Sequence, residues 1–600
     1  MVLLVYLGTD LLAAWGLNLE FGVAGVANFA YIVLVAAGAY LYAAFTLGPP
    51  AASGSFQQYI IGARLPVALA IILAALICGA LGCLIGVTGL KRLRADYQAM
   101  VMLVISILAT TVVGADSGLF NGNLGLSLIP NPLASLGDAS RGWWYVALVA
   151  AACLAGWLAL RRFTGGPLGR ALRAMREDED AATAVGKNVV GLRLAVQAAG
   201  GAYAGLSGAL LAGFIGGWSP SSWEYVETLA LLTAIIVGGI GNDAGVAVGV
   251  VIVPVLILQG AQFLPQFQSS PELASDLGWI VLGLLTIAFV FARPQGLVAE
   301  RRPRHAPAGQ DAAQAPPGGA RPASTVAALI ALPRPAAAPK AAGAAASGRP
   351  AALSVEGLVK RFGGVRAVDG ATFEAEPGEI TGLIGPNGAG KSTALALISG
   401  FLRPDGGRVR VEGRDVTALP AHRRARLGIV RTFQLPREFG ALTTIENLLV
   451  AAPRQRGESA AGVLAGRWLW RRQEEELVER ATALLTLFGM AGKRDERAGR
   501  LSGGQKRLLE VMRALMAQPR LLLLDEPMAG LAPALAEQLE EACLALAGAG
   551  LSILLVEHEL RAVERLCAKV VVMAQGTVIS QGRMAELRTR KEVQDAYVVG

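Results

Sequence analysis

The first half of this chain is built from eight apolar runs, near residues 1–17, 29–48, 65–90, 99–120, 143–160, 194–217, 228–258 and 277–293. A helix of about 20 apolar residues crosses a bilayer, so residues 1–297 predict a polytopic α-helical membrane domain. The 228–258 run is too long for one helix and carries VGGIGNDAGVAVG at its centre. It predicts two spans or a re-entrant pair, which brings the total to eight or nine crossings. The first run begins at Met1 with no charged leader region and reads as a retained helix.

Charge fixes an expected orientation. Lys91, Arg92 and Arg94 follow the third run, and Arg161, Arg162, Arg170, Arg173, Arg176, Lys187 and Arg193 follow the fifth. Short loops rich in Lys and Arg face the cytoplasm. The segments 49–62, 121–142, 218–227 and 259–275 are poor in both and are expected outside. Trp143, Trp144, Trp218 and Trp223 flank the outer segments, where interfacial anchoring is expected. The net charge of +9 therefore does not require nucleic acid as a partner, and no aromatic-interleaved basic stripe supports one. The five cysteines have neither metal-ligand spacing nor the pattern of a disulfide framework.

Residues 298–350 are rich in Ala, Pro and Gly and predict a cytoplasmic tether. Residues 351–600 have ordinary soluble composition. In them LSVEGLVKRF, EITGLIG, LLLLDEP, LSILLVEH and KVVVMAQG read as strands between helical patterns, which predicts an α/β sheet.

Within that sheet, ITGLIG followed by PNGAGKST is strand, glycine-rich turn and helix, the context a phosphate-binding loop needs. Gly385, Gly388 and Gly390 let backbone N–H groups turn toward phosphates. Asn387 and Thr393 complete the loop, Lys391 is expected to reach the terminal phosphates, and Ser392 to coordinate Mg²⁺. LLLLDE ends a buried strand on Asp525, a candidate Mg²⁺ ligand, and Glu526, positioned to polarise an attacking water. ATP and Mg²⁺ are the implied nucleotide and metal.

On these motifs residues 351–600 resemble the ATP-binding domain of an ABC transporter, with an α/β P-loop fold. The resemblance implies further roles. Phe362 in KRFGG would stack on adenine, and Gln434 in RTFQ would sense Mg²⁺ and contact the membrane domain. His558 in VEHEL would act as the switch histidine. Ser502, Gly503, Gly504 and Gln505 of LSGGQ would face the nucleotide of a second ATPase domain. One departure is Ala532 in MAGLAP, where the family has Asp or Asn.

RTFQLPREFGALTTIENLLVAA, GRLSGGQKRLLEVMRALM and VQDAYVVG are similar to one ATPase of the bacterial branched-chain amino acid importers. GRALRAMREDEDAATAVGKNVVGLRLAVQAAGGAYAGLSGALLA, LNLEFGVAG, RLRADYQAMVMLVIS and LTAIIVGGIGNDAGVAVG look like a permease subunit of the same importers. Arg170, Arg173 and Arg176 share one helical face, with Glu177 next to them. They are expected to form a coupling helix docking on the ATPase. Asn28, Phe29 and Ala30 stand where the family often has a Ser-Leu-Gly-type string. Asp10 and Asp116 lie in or near apolar runs as weak pathway candidates. Gly238, Gly239 and Gly241 predict a broken helix.

The family implies a fused permease and ATPase in the bacterial inner membrane, with the ATPase domain cytoplasmic. It also implies a second permease subunit, a second ABC ATPase subunit and an extracytoplasmic solute-binding protein. The competing expectation is an ABC exporter half-transporter, and a soluble ABC ATPase is excluded by the apolar half.

Overall fold

A computed structural model describes residues 1–49, 57–89, 95–134, 138–260, 271–300 and 350–599. The expected tether between residues 301 and 349 and the Lys91, Arg92 and Arg94 cluster lie outside these residues. The chain divides into two compact units. One comprises Met1–Arg176 and Val190–Pro303, the other Glu177–Val189 and Arg304–Gly600.

The first unit is helical. Among the described residues, five helices are long and apolar enough to cross a membrane: Val2–Val23, Val67–Val87, Tyr97–Ala115, Gly142–Thr164 and Val189–Ile215. The run near 29–48 forms only Tyr31–Thr46, 16 residues long. At 1.5 Å per residue that helix is shorter than a bilayer's hydrocarbon core of about 30 Å.

The long 228–258 run is interrupted. Tyr225–Gly238 ends at Gly239, whose φ is 135°, and Gly241 follows at 75°. Asn242 then caps Asp243–Val250, its Oδ1 accepting from the amides of Ala244 and Gly245. That helix runs on as the π-helical Val251–Gln259, which holds Pro254. The two arms touch backbone to backbone. A Cβ on Gly238 would lie 2.1 Å from the Gly245 carbonyl oxygen, and one on Gly249 only 1.8 Å from that of Ala234. A second irregularity sits in the first span, where Val2–Asn18 passes into the π-helical Leu19–Val23.

Two expectations are corrected here. Trp143 and Trp144 are exposed, as anchors must be, but Trp218 and Trp223 are buried. Trp218 pairs with Leu126 in a two-stranded ladder, and the Trp223 indole donates to the Tyr40 hydroxyl at 3.3 Å, so both are packing groups. Asp116 has a local role at a helix start. It is exposed and caps Ser117–Phe120, accepting from the Gly118 amide at 2.8 Å. Asp10 accepts from the Gln259 side chain at 3.2 Å.

The second unit has two sheets. The larger orders its strands Thr577–Gly582, Lys569–Ala574, Ile380–Ile384, Ser552–Val556, Leu521–Asp525 and Ile429–Arg431. All neighbours are parallel except the edge pair formed by Thr577–Gly582 and Lys569–Ala574. Ile380–Ile384, Leu521–Asp525 and Ser552–Val556 are buried at every position, as strands covered on both faces must be. The smaller sheet is antiparallel and contains Val365–Ala375, Leu353–Phe362, Gly406–Val411 and Arg414–Asp415. One apolar core joins Leu353, Phe373, Leu383, Leu395, Leu523 and Leu554 from both sheets and the helix between them.

The hairpin closure gives a direct test. Gly249→Val forces the two arms apart, and overpacking of this kind costs about 1–3 kcal/mol. The detergent-solubilised protein is expected to melt several degrees lower, read by thermal unfolding monitored at tryptophan. An unchanged melting temperature would remove the close packing inferred for this hairpin.

Candidate functional site

A parallel sheet sends the carboxyl ends of its strands to one edge, and that edge is where ligands bind. Four neighbouring strands deliver four loops there. Ile380–Ile384 leads into Gly385–Lys391, Ser552–Val556 into His558, Leu521–Asp525 into Glu526, and Ile429–Arg431 into Gln434.

The phosphate loop has the backbone its glycines require. Gly385, Gly388 and Gly390 have φ of 153°, 80° and 96°. A Cβ would lie 2.0 Å from the Met573 carbonyl oxygen at Gly385 and 2.3 Å from that of Ala367 at Gly390. Gly390 caps the helix Lys391–Ser399, whose positive end faces the loop. Lys391 is buried, and its Nζ donates to the carbonyls of Gly385 at 2.7 Å and Pro386 at 2.9 Å. Burial pulls its pKa down, and the carboxylates of Glu526 and Asp525 oppose that. Asn387, Gly388 and Ser392 are exposed, and Thr393 is partly so.

Asp525 is 1% exposed, and its Oδ2 accepts from Arg431 at 2.9 Å. Its Oδ1 is buried with no hydrogen-bond partner, an orphan suited to a cation or a metal-bound water. Glu526 has φ of 50°, a conformation that costs roughly 1–3 kcal/mol for a residue with a side chain. Its amide donates to the Val556 carbonyl at 2.9 Å, which helps hold the turn. The carboxylate is gripped from two sides. Oε1 lies 2.5 Å from Nε2 of His558, and Oε2 accepts from the Gln434 amide at 3.2 Å. The His558 ring is half exposed. The neighbouring Glu557 is buried and accepts from the Met528 amide at 2.9 Å.

The remaining sequence candidates are spread around this centre. Phe362 is 49% exposed at the end of its strand, with the Lys360 ammonium 5.7 Å from its ring centre. Ser502 caps Gly503–Met516 in a reciprocal box with Gln505. Ser502 and Gly503 lie on the surface, while Gly504 is partly covered by Leu531 and Leu535. Ala532 caps Pro533–Gly548 and offers that helix no side-chain acceptor.

The arginines of the expected coupling helix sit elsewhere. Arg170 and Arg173 are buried within the first unit, and Arg176 donates to the Gly22 carbonyl and pairs with Glu300 at 3.1 Å. Their helix, Pro167–Glu177, is strongly amphipathic and almost wholly buried, and Arg173 and Arg176 bond the Thr164 and Gly22 carbonyls of their own unit. Glu177 belongs with the ATPase fold, and its carboxylate accepts from the Ala441 amide at 3.2 Å. Asp178 caps Glu179–Ala184, and Asp178 and Asp180 face Arg437 at 3.4 and 2.8 Å. Gly186 accepts from Arg426. Lys187 is buried, donates to the Ala452 carbonyl at 3.2 Å and meets Glu458 at 2.5 Å. The sequence pattern includes Glu177 but gives no partners for Asp178, Asp180 or Lys187, because those partners are distant in the chain.

Arg437 also stacks over Phe433, 4.6 Å from the ring centre. The Phe433 backbone is held on its other side by Gly503–Met516: its amide donates to Glu510 at 2.8 Å, and its carbonyl accepts from Arg507 at 2.9 Å. Burial lifts the Glu510 pKa to about 7, against the lowering effect of Arg513. Gln434, the next residue, thus lies between the docked segment and Glu526.

This constellation is that of a transport ATPase of the ABC class. The family described as branched-chain amino acid transport system / permease component matches residues 2–290, and the ABC transporter family matches residues 368–529. The probable branched-chain amino acid transport ATP-binding protein LivG of Archaeoglobus fulgidus is 42% identical over 246 residues, covering 41% of this chain and 95% of the relative. The high-affinity branched-chain amino acid transport ATP-binding protein BraF of Pseudomonas aeruginosa is 38% identical over 247 residues, covering 41% of this chain and 97% of the relative. A nucleotide-free ATP-binding cassette from an ABC transporter aligns with a TM-score of 0.37 at 38% identity, covering 41% of this chain and 99% of that one. The chain belongs to the branched-chain amino acid ABC transporter family, with permease and ATP-binding components in one polypeptide. It is a multi-pass membrane protein with an ATP-binding ATPase domain, and the exporter alternative falls with the family assignment.

Two tests follow from local chemistry. Ala at an N-cap leaves a helix-end amide without its acceptor, and Asp there restores about 1 kcal/mol. Ala532→Asp is therefore expected to raise the urea midpoint of the second unit, and an unchanged midpoint counts against the cap argument. Glu510 in the folded state holds its proton up to about pH 7, so it stabilises below the usual carboxylate pKa of 4.5 and loses that contribution as pH rises toward 7. Glu510→Gln should flatten the fall in stability across that window. Parallel stability–pH curves for the two proteins would refute the shifted proton.

Proposed function

We propose that this chain drives ATP-dependent import of branched-chain or related amino acids, or amide-like small solutes, across a bacterial inner membrane. The substrate class follows that of the ATP-binding relatives and of the permease family. The ATPase domain faces the cytoplasm. A second permease subunit and a second ABC ATPase subunit complete the engine, and an extracytoplasmic solute-binding protein delivers cargo.

The observation that carries this reading is the shared grip on Glu526. Gln434, one of its two holders, follows the residue stacked by Arg437, and Arg437 is paired with a segment from the permease sequence. Hydrolysis chemistry and permease sequence therefore meet in one loop.

In the proposed cycle the Gly385–Thr393 loop and Lys391 bind the phosphates, and Phe362 stacks on adenine. Ser392 and Asp525, with Gln434, would hold Mg²⁺, which supplies neutralisation of phosphate charge. The orphan Asp525 Oδ1 fits that donor set. Glu526 accepts a proton from the attacking water as general base. His558 and Gln434 hold its carboxylate until nucleotide draws them to the phosphates. Ser502, Gly503, Gly504 and Gln505 face the nucleotide bound by the second ATPase, as their exposed helix N-terminus permits.

Glu526→Gln in the purified complex is expected to keep nucleotide binding, lose at least a hundredfold in hydrolysis, and abolish uptake of labelled leucine in proteoliposomes. Hydrolysis at the wild-type rate would sink the role of Glu526. Wild-type vesicles that hydrolyse ATP yet take up no branched-chain or related solute would sink the substrate class.

A further inference from the structure

Two of the backbone irregularities in the first unit lie together, and one side chain lies against both. The π-helical Leu19–Val23 displaces carbonyls from the regular ladder, and such bulges recur at functional sites. The Gly239–Asn242 break interrupts the later apolar run. They are joined directly, because the Gly241 amide donates to the Asn18 side chain at 2.9 Å. Asn18 is buried just before the π-helical stretch.

Arg176 lies over that junction. Its guanidinium donates to the Gly22 carbonyl inside the π-helical turn and to Glu300 at 3.1 Å. Its stem covers Gly25, where a Cβ would lie 2.8 Å from the Arg176 Cγ. A Cβ on Gly241 would lie 3.3 Å from the Glu300 carboxyl carbon and 3.4 Å from both the Arg176 Nη1 and the Gly22 carbonyl oxygen. Glycine at 22, 25 and 241 is what lets these groups converge. The pair is largely shielded, with Arg176 and Glu300 side chains 19% and 15% exposed. In sequence Arg176 is the last residue before Glu177–Val189, the segment that belongs with the ATPase fold.

We propose that Arg176 is a positioning residue for transport, tying the start of the ATPase-held segment to Leu19–Val23 and Gly239–Asn242 so that movement of that segment reaches both irregular stretches together. A guanidinium suits the task because its rigid fork bonds a carbonyl and a carboxylate at once. Discontinuous helices are where transporters place substrate and ion contacts, around which the surrounding helices rock to alternate access. The inference rests on the import reading, since it concerns how hydrolysis is converted to uptake.

The test measures ATP hydrolysis and solute uptake together in proteoliposomes of the whole complex, with the wild-type uptake serving as the control for the import reading itself. Arg176→Gln is expected to keep hydrolysis within about threefold of wild type while uptake per ATP falls at least tenfold. Arg176→Lys retains the charge but loses the fork and should recover part of that ratio. Glu300→Gln, which frees the guanidinium from its carboxylate but leaves the Gly22 bond, should lower the ratio about threefold. Hydrogen exchange gives a readout that a merely structural role would not move. ATP binding should alter exchange of residues 19–25 in wild type and no longer do so in Arg176→Gln. Unchanged uptake per ATP in the Gln variant, or a proportional loss of uptake and hydrolysis, overturns the proposal. If the Gln variant fails to assemble, the Lys and Glu300→Gln variants decide it, and a wild-type ratio in both overturns it.

Discussion

Burial of three parallel strands on both faces is the constraint from which the catalytic end of this protein follows. Ile380–Ile384, Ser552–Val556 and Leu521–Asp525 lie side by side with every residue covered. A polar group inside such strands is costly unless it finds a partner. The chemistry therefore collects just beyond their carboxyl ends, where the chain first reaches water. Lys391, His558, Asp525 and Glu526 come from points far apart in sequence and meet because their strands are neighbours. The edge strand Ile429–Arg431 adds Gln434 by the same rule.

The interactions that bind Glu177–Val189 to the ATPase fold are unequal. The Arg437 pairs with Asp178 and Asp180 are partly exposed, with Asp180 59% accessible. Exposed pairs of this kind contribute about 0–1 kcal/mol. Lys187 is different. It is 4% exposed, and removal of one partner of a buried pair costs roughly 3–5 kcal/mol because a charge is stranded. Lys187 with Glu458 thus supplies the hold, and the Arg437 pairs supply orientation. That division suits a joint that must stay attached while its angle changes.

The motif-bearing parts of the site were legible because each is a local string with one backbone solution. GPNGAGKST needs its glycines, and LLLLDE needs a buried strand. The membrane half was legible as helical because apolar length alone dictates it. What could not be read depends on partners distant in the chain. The arginines at 170, 173 and 176 share a helical face, but periodicity cannot say what that face meets; Arg173 bonds the Thr164 carbonyl and Arg176 that of Gly22. Trp218 and Trp223 look like interfacial anchors until Leu126 and Tyr40 are seen beside them. The pairing of Glu510 with the Phe433 backbone spans 77 positions and has no sequence signature at all.

The grip on Glu526 explains why a strained conformation is tolerated at the centre. Its left-handed backbone is unfavourable by an amount comparable to one or two hydrogen bonds. The Val556 carbonyl, His558 and Gln434 provide three contacts that offset it. Two of those three come from the loops after separate strands, so they can be withdrawn independently of the turn itself. In the proposed cycle, release of either leaves a carboxylate oxygen free to meet the attacking water. Under the role proposed for Glu526, holding it with groups that nucleotide can recruit would keep hydrolysis low until that ligand is in place. It would also place the control of hydrolysis in the loop that Arg437 and Glu510 both hold.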